Sequence, residues 1–390
     1  MNRSYILLGL GHEMSTKNHT ESQPVDPRRR RFLNTAGAGA LAAAFGSVFT
    51  GISGRIQAQT TKTLRWGIVG TGGIAHSMAP RIQQADHADL AAVSSRKMAT
   101  AQEFAESFGM NHAFDSWADM LAFDGVDAVY VATPTSVKEE ISLAAARAGK
   151  HVLCEKPFAN LPSLQRITAA CRENGVGFMD GTHFPHHPRT AYIKANMSEM
   201  VGKPWSVASA FQFLLTDTGN IRMNPDLEPY GAIGDAGWYN MRAAVEYLPA
   251  DIEIVSVEAF MRRSPETGAA VSGSGVIVFS DGSTTTWNCG FDSGAGIQDL
   301  RISGPVGVIK IDDFLSQRPT DQAGVYEYLK GWRNSETGEV RSEKPGATLM
   351  FEDFAGMVGD PAWFEASVLA SERTQLLLDA VWQSALENQG

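Results

Sequence analysis

The chain of 390 residues predicts an α/β protein in which a doubly wound, parallel-sheet domain precedes an α+β domain built on a mostly antiparallel open sheet. Three observations carry this prediction. The apolar run Leu64–Val69 leads straight into a glycine-rich turn and a helical pattern, and strand and helix then alternate to residue 182. Beyond about residue 205 apolar runs succeed one another with few helices between them. At 43% hydrophobic and 19% charged, the composition supplies enough apolar material for two domains.

The first 58 residues stand apart. Arg28-Arg29-Arg30-Arg31-Phe32-Leu33 precedes a stretch rich in Ala and Gly from Ala36 to Ile52, then Ile56-Gln57-Ala58, which ends on a small residue. A basic region, a weakly hydrophobic run and a small-residue cleavage site predict a secretory signal over residues 1–58, of the twin-arginine kind. The export machinery is then a partner and the periplasm the destination, with a membrane tether if cleavage fails. The competing reading is a basic tail ahead of an alanine-rich helix. The stretch is too poor in large side chains to read as a membrane span, and Met14 is an alternative start. Formal net charge is −10 and this segment is itself basic, so the body beyond it is more acidic than the whole. An acidic body argues against a nucleic-acid partner. Cys154, Cys171 and Cys289 are too few and too irregular for a disulfide framework or a zinc site.

Leu64–Val69 is the first strand, and Gly70-Thr71-Gly72-Gly73-Ile74-Ala75 follows it. Gly70 permits the tight turn, Gly72 lets the backbone approach a pyrophosphate, and Ala75 allows close helix–strand packing. The helix N-terminus then offers unpaired N–H groups to phosphates. This is a Rossmann dinucleotide-binding signature. The second strand, Leu90 to Ser95, ends where an NAD site would place a carboxylate on the ribose, and here stands Ser95-Arg96-Lys97. A hydroxyl and two cations suit a 2′-phosphate, so NADP is expected over NAD; the alternative is a solvated Arg-Lys pair. Asp127–Ala132, His151–Cys154 and Val176–Met179 read as further buried strands, with helices over Glu139–Ala148 and Leu164–Cys171. Ligands bind outside the carboxyl ends of such strands. Thr133-Pro134 and Glu155-Lys156-Pro157 fall there.

Ser206–Phe213, Glu253–Met261, Val271–Phe279, Thr284–Cys289 and Leu300–Ile309 read as the strands of the second sheet, with a helix beginning near Gly234 and others after residue 361. The expected division is 62–185 for cofactor and 186–388 for substrate and oligomerisation, the last helix packing back on the first domain.

Gly67-Ile68-Val69-Gly70-Thr71-Gly72-Gly73-Ile74-Ala75, Ala132-Thr133-Pro134 and Cys154-Glu155-Lys156-Pro157, in that order, resemble the Gfo/Idh/MocA superfamily over residues 62–388. Asp180-Gly181-Thr182, His187-Pro188-Arg189-Thr190 and Gly231 to Tyr239 resemble the branch with dimeric dihydrodiol dehydrogenase, NADP-dependent xylose dehydrogenase and glucose-fructose oxidoreductase. The resemblance implies hydride transfer on a carbohydrate-like substrate and a homodimer or homotetramer. It places Lys156 near the nicotinamide, with Thr133, Pro134 and Glu155 on the cofactor side, and takes Asp235 and Tyr239 from the second domain. Four residues apart on one helix, Asp235 and Tyr239 would share a face. Tyr is a poor base unless a cation lowers its pKa, and Lys156 is the available cation. Tyr239 is therefore read as acid/base and Lys156 as the residue that tunes it, the reverse assignment remaining open. The blander alternatives are a solvated Lys156, Asp235 as a helix N-cap and Tyr239 as an interface aromatic. His183, His186 and His187 read as pocket lining, and no metal is expected. Lys138 stands where members often carry His, and cleavage after Ala58 would leave no long N-terminal arm to hold the cofactor. Two further functions stay open: an NAD-dependent glycosidase using transient redox, and a non-catalytic cofactor-binding protein.

Overall fold

The computed structural model describes residues 62–315, 323–332 and 334–389; the expected signal, residues 1–58, lies outside them. The first sheet contains β1 (Leu64–Val69), β2 (Ala88–Ser94), β3 (His112–Phe114), β4 (Ala128–Val131), β5 (His151–Cys154) and β6 (Phe178–Asp180). They run in the order β3-β2-β1-β4-β5-β6, and every neighbouring pair is parallel. Helices α1 (Gly73–Gln84), α2 (Met98–Phe108), α3 (Trp117–Ala122), α4 (Thr135–Arg147) and α5 (Leu161–Glu173) make the crossovers. All four residues of β4 are buried, as a strand covered on both faces requires. Val69 pairs with Ser94 and Val131, Val131 with Cys154, and Cys154 with Asp180, so the register leaves the strand ends level. Gly70, Ser95, Ala132, Glu155 and Gly181 therefore form one rim.

The second sheet contains β7 (Ser206–Leu214), β8 (Ile254–Arg263), β9 (Ala270–Phe279), β10 (Thr284–Gly290), β11 (Asp292–Ser303), β12 (Val308–Ile311), β13 (Ala323–Lys330) and β14 (Asn334–Arg341). Its order is β14-β13-β12-β11-β7-β10-β9-β8, antiparallel except where β10 pairs with β7. The single strand expected over 300–309 is two. Gly304 donates to Gly307, and Val306 is drawn aside to Val201, so the chain turns there between β11 and β12. The β13–β14 hairpin was not expected, because Asn334–Arg341 is polar and largely exposed and carries no apolar alternation.

Short helices α6 (Pro188–Ala195) and α7 (Met197–Met200) lead into this sheet, and α8 (Gly231–Asp235) and α9 (Gly237–Tyr247) pack against it. The chain then returns to the first sheet. Helix α10 (Gly346–Met357) sets Phe351 and Phe354 5.1 Å from Trp66 of β1, so the core of the first domain is closed by residues from the end of the sequence. Helix α11 (Pro361–Glu387) lies along α5 and β6 on one side and α9 and β8 on the other. Asp360 caps it, and Arg172–Glu365, Thr168–Glu372 and Leu161–Asp379 bonds tie it to α5. Among the described residues no helix is long and apolar enough to cross a membrane.

Candidate active site

The nucleotide side is built first by backbone. Gly70 donates to Ser94 O at 2.9 Å and has φ +100°, and a Cβ on it would lie 2.8 Å from the Ala132 carbonyl. Only Gly meets both demands. Gly72 and Gly73 face open space, where a Cβ would meet nothing within 4 Å. Helix α1 starts there with no side-chain cap, so its first N–H groups stay available to an anion. Thr71 Oγ1 and Ser95 Oγ hydrogen-bond at 3.2 Å, joining the turn to the end of β2. Arg96 and Lys97 are exposed, and neither forms an ion pair among the described residues. Ile74 is exposed beside the turn. Across the rim, Thr133 Oγ1 is buried without a partner in the protein, and Pro134 opens α4. Open glycines, an uncapped helix, two unspent cations and an orphaned hydroxyl are a donor set that fits a phosphorylated dinucleotide.

The second side is built from charge. Lys156 Nζ donates to Asp235 Oδ1 at 2.8 Å and to the Asp235 carbonyl at 2.9 Å, and lies 4.8 Å from the centre of the Tyr239 ring. Arg222, from a single 3₁₀ turn at Ile221–Met223, donates Nε to the other carboxylate oxygen at 2.8 Å. Burial alone would discharge Lys156, but Asp235, then Tyr239 and Glu155, outweigh it and raise its pKa above the ordinary lysine value. Burial likewise opposes ionisation of Asp235, and Lys156 and Arg222 overcome it, holding the carboxyl well below its usual range. The bond from Lys156 to Pro157 is cis. Glu155 is buried, accepts from Tyr130 Oη at 2.6 Å and has its pKa raised by that burial. Tyr239 Oη lies 3.3 Å from His183 Nε2.

The geometry corrects three expectations. Asp235 is not a helix N-cap: α9 begins after Ala236 with no side-chain cap, and both carboxylate oxygens of Asp235 are spent on Lys156 and Arg222. Nor do Asp235 and Tyr239 share one helix, since Asp235 ends α8 and Tyr239 lies in α9; they meet because both approach Lys156. Finally, Lys156 does not bring the phenol down. Burial raises the Tyr239 pKa, Lys156 opposes it, and the balance lies well above the ordinary tyrosine value. The histidines also diverge. His183 faces Tyr239, His186 Nδ1 meets Asp353 at 2.6 Å, and His187 accepts from the Arg189 N–H.

Sequence reasoning missed several supports. Arg222 is a lone cation in a polar loop, and nothing in its neighbourhood marks it. Glu228 accepts from Thr135 N at 3.0 Å and Thr135 Oγ1 at 2.6 Å, capping α4 from the other domain. Ser136 N donates to Leu227 O beside it. Lys138 is buried and donates to the Lys156 and Pro157 carbonyls at 3.0 and 3.1 Å. It fixes the backbone that aims Lys156.

A family model, oxidoreductase family with an NAD-binding Rossmann fold, matches residues 64–182. D-xylose 1-dehydrogenase (NADP(+)) 2 of Haloferax volcanii is 33% identical over 263 residues, 67% of this chain and 79% of that protein. A dTDP-3,4-didehydro-2,6-dideoxy-alpha-D-glucose 3-reductase of Actinomadura kijaniata is 33% identical over 232 residues, 59% of this chain and 69% of that protein. Among solved structures, KijD10, a 3-ketoreductase from Actinomadura kijaniata in complex with NADP and TDP-benzene, superposes with a TM-score of 0.75 at 28% identity, covering 83% of this chain and 98% of that one. With the glycine turn, the level strand ends and the Lys156 cluster, these matches make the chain a member of the Gfo/Idh/MocA family of NAD(P)-dependent oxidoreductases.

Proposed function

We propose that this protein is an exported, NADP-dependent oxidoreductase that moves hydride between the nicotinamide and a hydroxyl or carbonyl carbon of a sugar, polyol or related diol. The observation that carries the reading is the buried Lys156 ammonium, clamped by Asp235 against Tyr239 on the same rim as the open glycine turn. NADP, when bound, supplies or accepts the hydride. Lys156 spends two N–H groups on Asp235 and keeps the third for the substrate oxygen, where its charge stabilises negative charge developing on that oxygen. Tyr239, kept protonated at neutral pH by its burial, stands beside it as the acid that gives its proton to the substrate oxygen when a carbonyl is reduced; in the reverse direction it is the tyrosinate, stabilised by the Lys156 charge, that takes the hydroxyl proton. Asp235 and Arg222 keep the lysine charged and aimed, while Lys138 and Glu228 hold the backbone around it. The relatives named above are dehydrogenases and reductases, which supports net redox over glycoside cleavage.

Export rests on the four arginines Arg28–Arg31 before Phe32-Leu33 and on the Ala/Gly run after them. The twin-arginine route carries folded protein, so NADP can be bound before export. Assembly as a homodimer or homotetramer is what the family resemblance implies for the open, mostly antiparallel sheet; equilibrium sedimentation measures it.

The reading is tested by purifying the mature protein without added nucleotide, recording the reduced-nicotinamide absorbance band, and screening aldoses, polyols and aryl glycosides for redox turnover and bond cleavage. Turnover of an aldose or polyol supports it, and glycoside cleavage without net redox overturns it. The cofactor preference has its own measurement. Replacing both Arg96 and Lys97 by Ala weakens NADP binding about 10- to 100-fold and leaves NAD binding within about twofold, because only the 2′-phosphate loses charge-assisted partners. Equal losses for both cofactors in a fluorescence titration would remove these residues from the phosphate site.

A further inference from the structure

Arg222 is the most open member of the charged cluster, with 35% of its side chain exposed against 17% for Asp235 and 8% for Lys156. Its Nε is spent on Asp235 Oδ2, while Nη1 and Nη2 have no partner among the described residues. The carboxylates around it are already engaged. Asp235, Glu228 and Glu155 are the acids that act on Arg222. Both oxygens of Asp235 accept from Lys156 and Arg222 Nε, both oxygens of Glu228 accept from Thr135, and Glu155 accepts from Tyr130. All but one of the guanidinium N–H groups are therefore left over beside the lysine.

The turn that carries this arginine is a built one. Asn220 Oδ1 accepts from Arg222 N at 3.1 Å, Met223 N donates to Asn220 O at 2.9 Å, and the Met223 side chain is buried in a cluster with Phe291 and Ala232. Leu215 N donates to Phe291 O at 2.7 Å where the chain leaves β7, and on the far side of the turn Leu227 and Glu228 are bonded to the start of α4. A side chain held at its backbone and at Nε has little freedom left to lose on binding. Lys156 and Arg222 also grip opposite oxygens of one carboxylate, so a single sugar ring spans them, with the ammonium deep and the guanidinium toward solvent.

We infer that Arg222 is the specificity-determining residue of the substrate site and that it selects an anionic monosaccharide, whose reacting oxygen lies on Lys156 while its carboxylate or phosphate takes the free guanidinium edge. This rests on Lys156 being the group that receives the reacting oxygen. The groups that Lys156 and Arg222 leave open are donors. A neutral hydroxyl placed on Arg222 accepts from it but brings a donor of its own, and the nearby carboxylate oxygens are occupied. An oxyanion accepts only, and two of its oxygens meet Nη1 and Nη2 in parallel, charge-assisted bonds.

The test compares matched pairs on the NADP-loaded protein: D-glucuronate and D-galacturonate against D-glucose and D-galactose, D-gluconate against D-glucitol, and glucose 6-phosphate as the phosphate member. The anionic member of at least one pair exceeds its neutral partner about 10- to 100-fold in kcat/KM, mainly through KM. Arg222→Gln brings that ratio to within about threefold of unity, and Arg222→Lys, which keeps the charge without the fork, falls between. Whatever either variant costs through Asp235 falls on both partners alike and cancels in the ratio. Glucose 6-phosphate and glucuronate, ranked against each other, tell phosphate from carboxylate. Neutral sugars turned over as well as their acids, or a ratio that Arg222→Gln leaves in place, overturns the inference and leaves the oxidoreductase reading standing. A second arm needs no turnover: the nicotinamide fluorescence of the NADPH-loaded protein is titrated with the same pairs. Tighter binding of the anionic member, lost in Arg222→Gln while NADPH affinity stays within about threefold, supports the assignment. Equal binding of both members, or a loss of NADPH affinity instead, removes it. Silence of every sugar in the redox assay would sink the oxidoreductase reading, whatever the titration shows.

Discussion

Lys156→Met lowers turnover about 10²- to 10³-fold, the loss seen when a preorganised donor to a developing oxyanion is removed, while NADP affinity changes less than about threefold. Met keeps the length of the stem and removes the ammonium, so packing beneath Tyr239 survives and the charge does not. Asp235 retains Arg222 at 2.8 Å in the variant and does not become an orphaned buried carboxylate. Lys156→Arg does not rescue. Lys156 occupies a gap bounded by both Asp235 oxygens it contacts and by a ring 4.8 Å away, and a planar guanidinium cannot take the place of a compact ammonium there. Asp235→Asn gives the graded version. The carboxylate is the chief influence raising the Lys156 pKa against burial, so its loss lowers that pKa and moves the basic limb of the kcat profile to lower pH. Steady-state rates at the reduced-nicotinamide band, with fluorescence titration of NADPH, measure both effects. A Lys156→Met protein that turns over within tenfold of the parent, or a basic limb that stays in place in Asp235→Asn, would remove the lysine from the chemistry.

The readable and unreadable parts of this site divide along one physical line. Gly70, Gly72, Thr133 and Lys156 were legible because their positions follow from local rules: a strand must end, a tight turn needs positive φ, and ligands collect at the carboxyl rim of a parallel sheet. Asp235 and Tyr239 became legible only through family resemblance, and the continuous helix inferred to join them is broken at Ala236. Arg222, Glu228 and the His183 contact were beyond reach, since each depends on how a loop of one domain lies on the other. The same holds for the fold. Unbroken apolar runs revealed β4 and β5, which are buried in the sheet, and nothing comparable marks β14, which is largely exposed and has Val340 as its one large apolar residue. The core of the first domain hid its last contributor for the same reason: Phe351 and Phe354 lie at the far end of the chain from Trp66, which they cover, a separation over which no local pattern speaks.

Arg242→Met destabilises the fold by about 3–5 kcal/mol, the cost of leaving a buried charge without its partner. Arg242 and Asp180 have side chains only 8% and 1% exposed and meet at 2.7 Å; Arg242 also holds Glu246, which Lys194 reaches from α6 at 2.6 Å. Thr182 and Ser371 donate to Asp180 as well, so the carboxylate at the end of β6 gathers α9 and α11 onto the first sheet directly beneath the site. The pH dependence distinguishes this from loss of packing. In the parent, burial opposes ionisation of Asp180 and Glu246, but Arg242 and Lys194 prevail: Asp180 is lowered, and Glu246 is held at about 2. A lowered carboxyl stabilises the fold fully above its unfolded pKa, about 4, and the stabilisation fades as pH falls through the folded value. The parent therefore gains stability as pH rises from about 2 to 4. Without Arg242, burial is the largest influence left on Asp180, and its folded pKa moves above the unfolded one. The sign for that group then reverses, because the folded state now binds the extra proton and loses stability as pH rises past about 4. Urea unfolding at pH 4.5 and pH 7.5 should show the variant's deficit larger at the higher pH, and a deficit that is equal at both, or below about 1 kcal/mol, would mean that Arg242 is not what keeps Asp180 charged.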